Sequence, residues 1–439
     1  MKILHCLNHF LPLHTAGTEV YAWSLSKNLI ASGFSVEVII PNYSQHVNSY
    51  YEIDGIKVNQ YAEPSTVDRK LKMGLRIPDG LPAFIKLVKE INPDIVHYHE
   101  LAGSNGITIH HVEATFSLGF KNIMTFHLAN YTCKAQTLMY KNSMLCDGVI
   151  DEYRCTDCML SNASSLVSYP LSFFAKKAYK YRINLMRVES KLMTGLSYPF
   201  IINKLRKDLN KLVNSCHRLI VLTKWYEHIL IENEVALDKI IYIPQGLINQ
   251  NSGDKEWVRK GHKNKRFIFL GRISKYKGLH LLLDALQGMS NEPIKVDIYG
   301  SDPQDDYAIM CKNRIKQMSN VFWKGKLMPG EVVSTMRNYD ALILPSTFSE
   351  MSPLVIQEAF AAKIPVIASN VYGNAEQIID KKNGWLFKYN DSKELQELLY
   401  SLLKNPEWLR SAKNFIPDVQ TFDRVTSQYV EVYTTILAA

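Results

Sequence analysis

Several familiar signals are missing from this 439-residue chain. No apolar run approaches the roughly 18 residues a membrane-spanning helix requires. The opening MKILHCLNHF is broken by His5, Asn8 and His9 too early for a secretory leader, so it reads as a first strand and a cytoplasmic protein is expected. There is no G-x-G-x-x-G, which removes the usual fingerprint of a nicotinamide or flavin dinucleotide site, and no G-x-x-x-x-G-K-[ST]. A D-x-D pair to hold a divalent metal on a diphosphate is also missing, so phosphate here must be neutralised by protein cations and helix N-termini. Seven cysteines are too few for a disulfide framework in a chain of this size and suit reduced thiols or a metal site.

The length suits two domains rather than one core, and 46% apolar residues is the content of a globular protein. The net charge of +9 is unevenly distributed. Between Leu171 and Ser215 stand ten Lys or Arg (Lys176, Lys177, Lys180, Arg182, Arg187, Lys191, Lys204, Arg206, Lys207, Lys211) against Glu189 and Asp208. Interleaved with Phe173, Phe174, Tyr179, Tyr181, Leu185 and Met186, they form a basic amphipathic helical segment. Such a segment suits either a solvated face or the surface of an anionic membrane. No nucleic-acid motif accompanies the charge, so nucleic acid is not expected as a partner.

The first half alternates strand and helix signals: KILHCL, a helix over about Thr18–Ser32, SVEVII, IKVNQY, a helix over Leu81–Ile91, DIVHYH, NIMTFH and RLIVLT. Alternation of this kind predicts a parallel sheet covered on both faces. After KIIYIPQG comes a polar stretch without apolar period, taken as a linker over 249–265. The pattern then restarts with RFIFLG, a helix over about Gly278–Gly288, IKVDIYG, a helix over Asp305–Met318, VFWKG, ALILPS, another helix and PVIAS. The expectation is α/β: two Rossmann-like doubly wound domains, 1–248 and 266–419, with ligands beyond the carboxyl ends of the strands in a central cleft.

SEMSPLVIQEAFAAKIPVIAS carries the first candidate site. Pro353 suits the first helical position, which places Glu350 in the preceding loop and Glu358 in the second helical turn. Between them, Ser352, Pro353 and Leu354 form a helix start whose N–H groups and dipole favour an anion. Carboxylates flanking an anion site make sense for a ligand with hydroxyls beside its phosphates, a sugar nucleotide. LGRISKYKGLHLLLDAL supplies the cations: Gly271 lets the backbone turn, and Arg272 and Lys277 follow on a loop opening a helix. A guanidinium grips phosphate oxygens bidentately and an ammonium acts as a point charge, so together they can clamp a diphosphate and stabilise it as a leaving group. Alone, such a pair reads as surface charge; the ordered glutamates make it a site.

These stretches, with YGNAEQI, NGWLF and AGTEVYAWSLSKNLIASGFSVEVI, resemble GT-B glycosyltransferases of family 4 over nearly the whole chain. The resemblance implies a retaining transfer of a sugar from a nucleoside-diphosphate sugar to a saccharide or lipid-linked acceptor of surface polysaccharide synthesis. It implies that Arg272 and Lys277 hold the diphosphate, that Glu350 contacts the transferred sugar and that Glu358 contacts the ribose. It further implies that Gly17 lies in a glycine loop near the donor phosphate and that His127 is an active-site histidine, with His99 on the neighbouring strand and Asn374 and Glu376 near the donor. It also implies that a final helix, Phe422–Leu437 within 420–439, packs back on the first domain. No cofactor is required for such catalysis. Three positions depart from the pattern: Ala16 replaces the commoner first glycine of the Gly17 loop, Lys363 replaces a usual glycine, and Gln245 replaces the usual asparagine. A nucleotide-sugar epimerase or hydrolase, and a non-catalytic nucleotide-sugar-binding scaffold, are the alternatives.

Cys133, Cys146, Cys155 and Cys158, the last two as C-x2-C, form a separate cysteine-rich segment, 133–158. Four thiolates at this spacing suit a structural zinc, closed to catalysis because no coordination position is left open.

Overall fold

The computed structural model describes residues 1–43, 46–64, 67–247, 264–301 and 303–438. The chain divides into two compact units: Met1–Asn142 with Cys146–Pro244 and Phe422–Ala439, and Gln245–Thr421 with Ser143–Leu145. The expected linker falls almost wholly outside the described residues; Lys265 at its end already opens a strand.

The first unit is built on β1 (Lys2–Cys6), β2 (Ser35–Asn42), β3 (Ser49–Ile53), β4 (Ile56–Ala62), β5 (Ile95–Tyr98) and β6 (Lys121–Phe126). The hairpin strands β7 (Met139–Tyr140) and β8 (Met144–Leu145), then β9 (Arg218–Val221) and β10 (Ile240–Tyr242), follow. Among the described residues the main sheet has the order β10-β9-β6-β5-β1-β2-β4-β3. All its pairings are parallel except β3–β4. β5 is buried at every residue and β6 at five of six, which is why these strands read as apolar runs without alternation. The Ser49–Ile53 strand had no sequence signal strong enough to predict it; it is a polar, half-exposed antiparallel edge.

The C-terminal helix, Phe422–Ala438, belongs to this first unit and packs on the helix Gly17–Ala31. Tyr21 meets Phe422 edge-to-face, its hydroxyl donates to the Tyr429 hydroxyl at 3.0 Å, and Tyr433 reaches His97 Nδ1 at 2.7 Å. The basic segment is three helices, not one: Ser165–Lys180, Lys191–Leu196 and Tyr198–Ser215. Four of its ten cations are paired to acids elsewhere in the unit or on the same helix: Lys176 with Asp157, Lys204 with Asp208, Arg206 with Glu152 and Lys211 with Glu113. Among the described residues, no helix is long and apolar enough to cross a membrane.

The second unit contains β11 (Lys265–Leu270), β12 (Ile294–Tyr299), β13 (Val321–Gly325), β14 (Ala341–Leu344), β15 (Val366–Ser369) and β16 (Gly384–Phe387), all parallel in the order β13-β12-β11-β14-β15-β16. This is the doubly wound order, with the chain reversing direction between β11 and β14. Its two faces are closed by separate cores, one centred on Phe267, Phe269 and Leu282, the other on Ile268, Leu342 and Phe360. Lys363 has φ +55, the left-handed region that explains why glycine is commoner there; its ammonium pairs with Asp418 at 3.1 Å. Gln245 is buried, with Oε1 unpartnered.

Candidate active site

The reversal point of the second sheet carries the predicted cations and the first predicted glutamate. Gly271 leaves β11 with its N–H bonded to Tyr299 O at 3.1 Å, and Lys275–Lys277 form one 3-10 turn. That turn is tied to the loop after β14: Thr347 N donates to Tyr276 O at 2.8 Å and Thr347 Oγ1 to Lys275 O at 2.9 Å. Gly278 has φ +69, and a Cβ there would stand 1.8 Å from Pro345 O, so only glycine lets the two loops approach. The consequence is that Lys277 Nζ meets Glu350 Oε2 at 2.5 Å. Ser346 Oγ donates to the other oxygen, Oε1, at 2.5 Å, so both oxygens of this buried carboxylate are engaged. Arg272, on the same loop, is exposed and has no partner among the described residues.

The loop is braced from beneath. Ser369 Oγ donates to Ser346 O at 2.7 Å, and Asn374 Nδ2 donates to Ser369 O at 3.0 Å. Asn374, expected to line the donor pocket, is fully buried and serves this brace; Glu376 is exposed at the surface.

Pro353 occupies the N-cap of the helix Leu354–Ala361, not its first helical position, because its ψ of 113° is still extended. Ser352 and Leu354 flank it, and the first amides of the helix lack intrahelical acceptors. Glu358 lies in the second turn, as its spacing predicts, and has no partner among the described residues. Burial pushes its carboxyl up to about 7. Its ionised form has no donor within the protein among the described residues and gains from any that a ligand brings.

In the first unit the reversal point lies between β1 and β5. Gly17 begins the helix Gly17–Ala31, and nothing lies within 4 Å of where its Cβ would be. Glu19 caps that helix through the Ala16 N–H at 3.1 Å and binds His14 Nδ1 at 2.8 Å. His99 and His127 follow the ends of β5 and β6, and His99 Nδ1 lies 3.1 Å from His127 Nε2. His99 Nε2 is buried and unpartnered. A bare ring nitrogen is cheaper to bury unpaired than an N–H, which assigns the proton to Nδ1 of His99 and leaves His127 Nδ1 protonated, a donor facing away from the pair. Burial holds His127 down at about 3, so it acts as a neutral ring.

Glu100, next to His99, was not singled out from the sequence. Burial, then the nearby Glu19 charge, pushes it up to about 7; its position just past the end of β5 was the available signal. A cavity of about 330 Å³ in the same unit is lined by Lys72, Arg76, Lys134 and Lys204. The four predicted zinc ligands, Cys133, Cys146, Cys155 and Cys158, line a smaller one that shares Lys134 and Met159 with it.

Two observations thus bear on the class: a doubly wound unit whose reversal point joins cations to a carboxylate, and another α/β unit with histidines at its own strand ends. Residues 15–145 match Glycosyltransferase Family 4 and residues 253–419 match Glycosyl transferases group 1, between them most of the chain. The chain belongs to this family of glycosyltransferases. It is 27% identical over 212 residues to the O-antigen chain mannosyltransferase C of Escherichia coli, covering 46% of this chain and 56% of that one. It is 25% identical over 236 residues to the phosphatidyl-myo-inositol mannosyltransferase of Mycobacterium leprae, covering 49% and 62%. These matches thus span little more than half the length of such relatives. Among solved structures, sucrose-phosphate synthase from Thermosynechococcus elongatus superimposes with a TM-score of 0.68 at 16% identity, covering 100% of this chain and 99% of that one. Anabaena Alr3699/HepE in complex with UDP-glucose does so at 0.61 and 13%, covering 99% and 100%. The fold is GT-B, two Rossmann-like domains.

Proposed function

We propose that the protein transfers a sugar, with retention of anomeric configuration, from a nucleoside-diphosphate sugar to an acceptor. The observation that carries this reading is the meeting of Lys277 with Glu350 at the reversal point of the second sheet, beside an unpaired Arg272. In this reading Arg272, Lys277 and the helix start at Ser352–Leu354 bind the diphosphate, where negative charge grows as the glycosidic bond breaks. A phosphate competes with Glu350 for the Lys277 ammonium, and Glu350, freed on one side, accepts from the hydroxyls of the transferred sugar. Glu358 accepts from the ribose diol, the donors its buried carboxyl lacks. His127 donates from Nδ1 to the sugar, positioned by His99. A leaving-group-driven front-face route needs no protein nucleophile, and no cofactor is invoked. That Alr3699/HepE is described with UDP and UDP-glucose supports a nucleotide-sugar donor.

For the acceptor, Lys72 and Lys134 on the 330 Å³ cavity, beside the ion-paired Arg76 and Lys204, support a phosphate-bearing, lipid-linked saccharide. The helix Ser165–Lys180 supports work at the inner face of an anionic membrane. It exposes Leu166 at 87%, with Tyr169, Phe173 and Phe174, beside Lys177 and Lys180, which have no ion-pair partner among the described residues. A thermal-shift panel of nucleoside-diphosphate sugars tests the donor part: a ligand at 100 times its Kd stabilises by about 2.7 kcal/mol. Turnover of that donor should then require added acceptor. Rapid turnover of donor alone would favour a hydrolase or epimerase, and binding without turnover a scaffold.

A further inference from the structure

Among the described residues, the trio of metal-type ligands whose atoms already lie together, within 4.8 Å of one another, is His5, His97 and His99. It is core, because both His97 nitrogens are committed, Nδ1 to Tyr433 and Nε2 to Thr125 at 2.8 Å. The cysteine segment between β6 and β9 offers ligands whose S–H groups make only long contacts: Cys146 to Asp147 at 3.9 Å, Cys155 to Val149 O at 4.0 Å and Cys158 to Met139 O at 3.8 Å.

Cys133 follows the turn Ala129–Tyr131, with its N–H bonded to Ala129 O at 3.0 Å, and Cys146 follows β8, with its N–H bonded to Leu138 O at 2.9 Å. Cys155 and Cys158 lie one turn apart on the helix Glu152–Leu160, and therefore on one face. None is in a disulfide. All four line one cavity of about 20 Å³, room for a single small occupant. Backbone donors are aimed at the sulfurs: Lys141 N donates to Cys158 Sγ at 3.2 Å, and the amides of Gly148 and Asp151 bear on Cys146 and Cys155. Gly148 has φ +74, the left-handed turn that brings its N–H back to the thiol two residues earlier.

A second observation points the same way. Between Cys133 and Cys146, four non-glycine residues are left-handed: Gln136, Leu138, Lys141 and Asn142, with φ between 49° and 63°. Each costs about 1 kcal/mol or more, and such strain persists where something outside the loop holds it. One cavity shared by thiols at both ends of the loop is the place for that tether.

We propose that Cys133, Cys146, Cys155 and Cys158 bind one zinc ion as four thiolates, a structural site that fastens this loop to the helix Glu152–Leu160. All four thiols border the one cavity, and zinc binding would draw them to the ~2.3 Å Zn–S distance. Binding as thiolates releases the thiol protons to solvent, and with four sulfur ligands no position remains for substrate. The proposal stands apart from the transfer activity.

Elemental analysis of the full-length protein, purified without chelator, should find about one zinc per chain. Cobalt introduced in its place should give the thiolate charge-transfer bands and intense visible bands of a tetrahedral four-sulfur site. The double variant Cys155→Ser/Cys158→Ser should lose the metal, while Cys311→Ser, in the other unit, should keep it. Should the double variant fail to fold, the native protein decides: alkylation with and without chelator should expose four additional thiols when the metal is removed. Metal-free protein that takes up no cobalt with thiolate bands, iron in place of zinc, or zinc retained by a folded double variant would overturn the proposal.

Discussion

Arg272→Ala separates a ligand-binding role from a structural one more cleanly than any other change in the candidate site. The Arg272 side chain is exposed and makes no hydrogen bond or ion pair with the described residues. Removing it should therefore change folding stability by no more than about 0.5 kcal/mol, the usual range for a surface site. If its guanidinium instead stabilises the departing diphosphate, the same change removes one donor to a developing charge and lowers turnover by about 10² to 10³, roughly 3–4 kcal/mol of barrier. Lys277→Ala is the informative contrast. It strips the partner from Glu350, whose side chain is 8% exposed, and should cost roughly 1–3 kcal/mol of stability, below a fully buried pair because Lys277 is partly solvated. The assay is initial rate at saturating donor and acceptor, with and without Mg²⁺, beside thermal unfolding of both variants. Wild-type turnover in Arg272→Ala, or a loss of rate rescued by Mg²⁺, would refute the diphosphate clamp.

Other outcomes follow from the same geometry. Glu350→Gln keeps the size but loses the charge and should depress turnover strongly while donor affinity, read by thermal shift, changes less. Glu358 should make donor binding depend on pH: hydroxyls donate to the ionised form, so affinity should rise as pH climbs through about 7, and Glu358→Gln should flatten that profile. For folding the sign is opposite. The native carboxyl keeps its proton to higher pH than the unfolded one, so this group's contribution declines between about 4.5 and 7. Charge reversal at Lys177, Lys180 and Arg182 should weaken salt-sensitive binding to anionic vesicles, since surface attraction is screened over about 10 Å at 0.1 M salt; equal binding to neutral vesicles would remove the membrane reading. Lys176 is left out of that variant because Asp157 already holds it.

What could be read from the sequence was mostly what depends on local rules. Parallel strands buried on both faces announce themselves as apolar runs, and the helix start at Pro353 located Glu350 and Glu358 on opposite sides of it. What failed depends on register and on partners far along the chain. The clustering of the His5, His97, His99 and His127 rings arises from the alignment of β1, β5 and β6, which no spacing within one strand encodes. The brace that Asn374 makes to Ser369 was not legible, because a polar side chain beyond a strand end looks the same whether it faces ligand or backbone. The basic segment looked like one free amphipathic face because Glu113, Glu152 and Asp157, which neutralise part of it, lie before the segment and 19 to 98 residues from the cations they pair with. The half-exposed edge strand Ser49–Ile53 carries too little apolar pattern to separate from a loop.

The claim that the protein moves a sugar from nucleotide to acceptor with retention is tested most directly by proton NMR of the newly formed linkage. The donor should be an α-linked nucleoside-diphosphate sugar chosen by thermal shift, incubated with a lipid-linked saccharide acceptor and the wild-type protein. The account predicts an α-linked product, together with release of one nucleoside diphosphate per linkage formed. A β-linked product, or nucleoside diphosphate released with no new linkage, would contradict it.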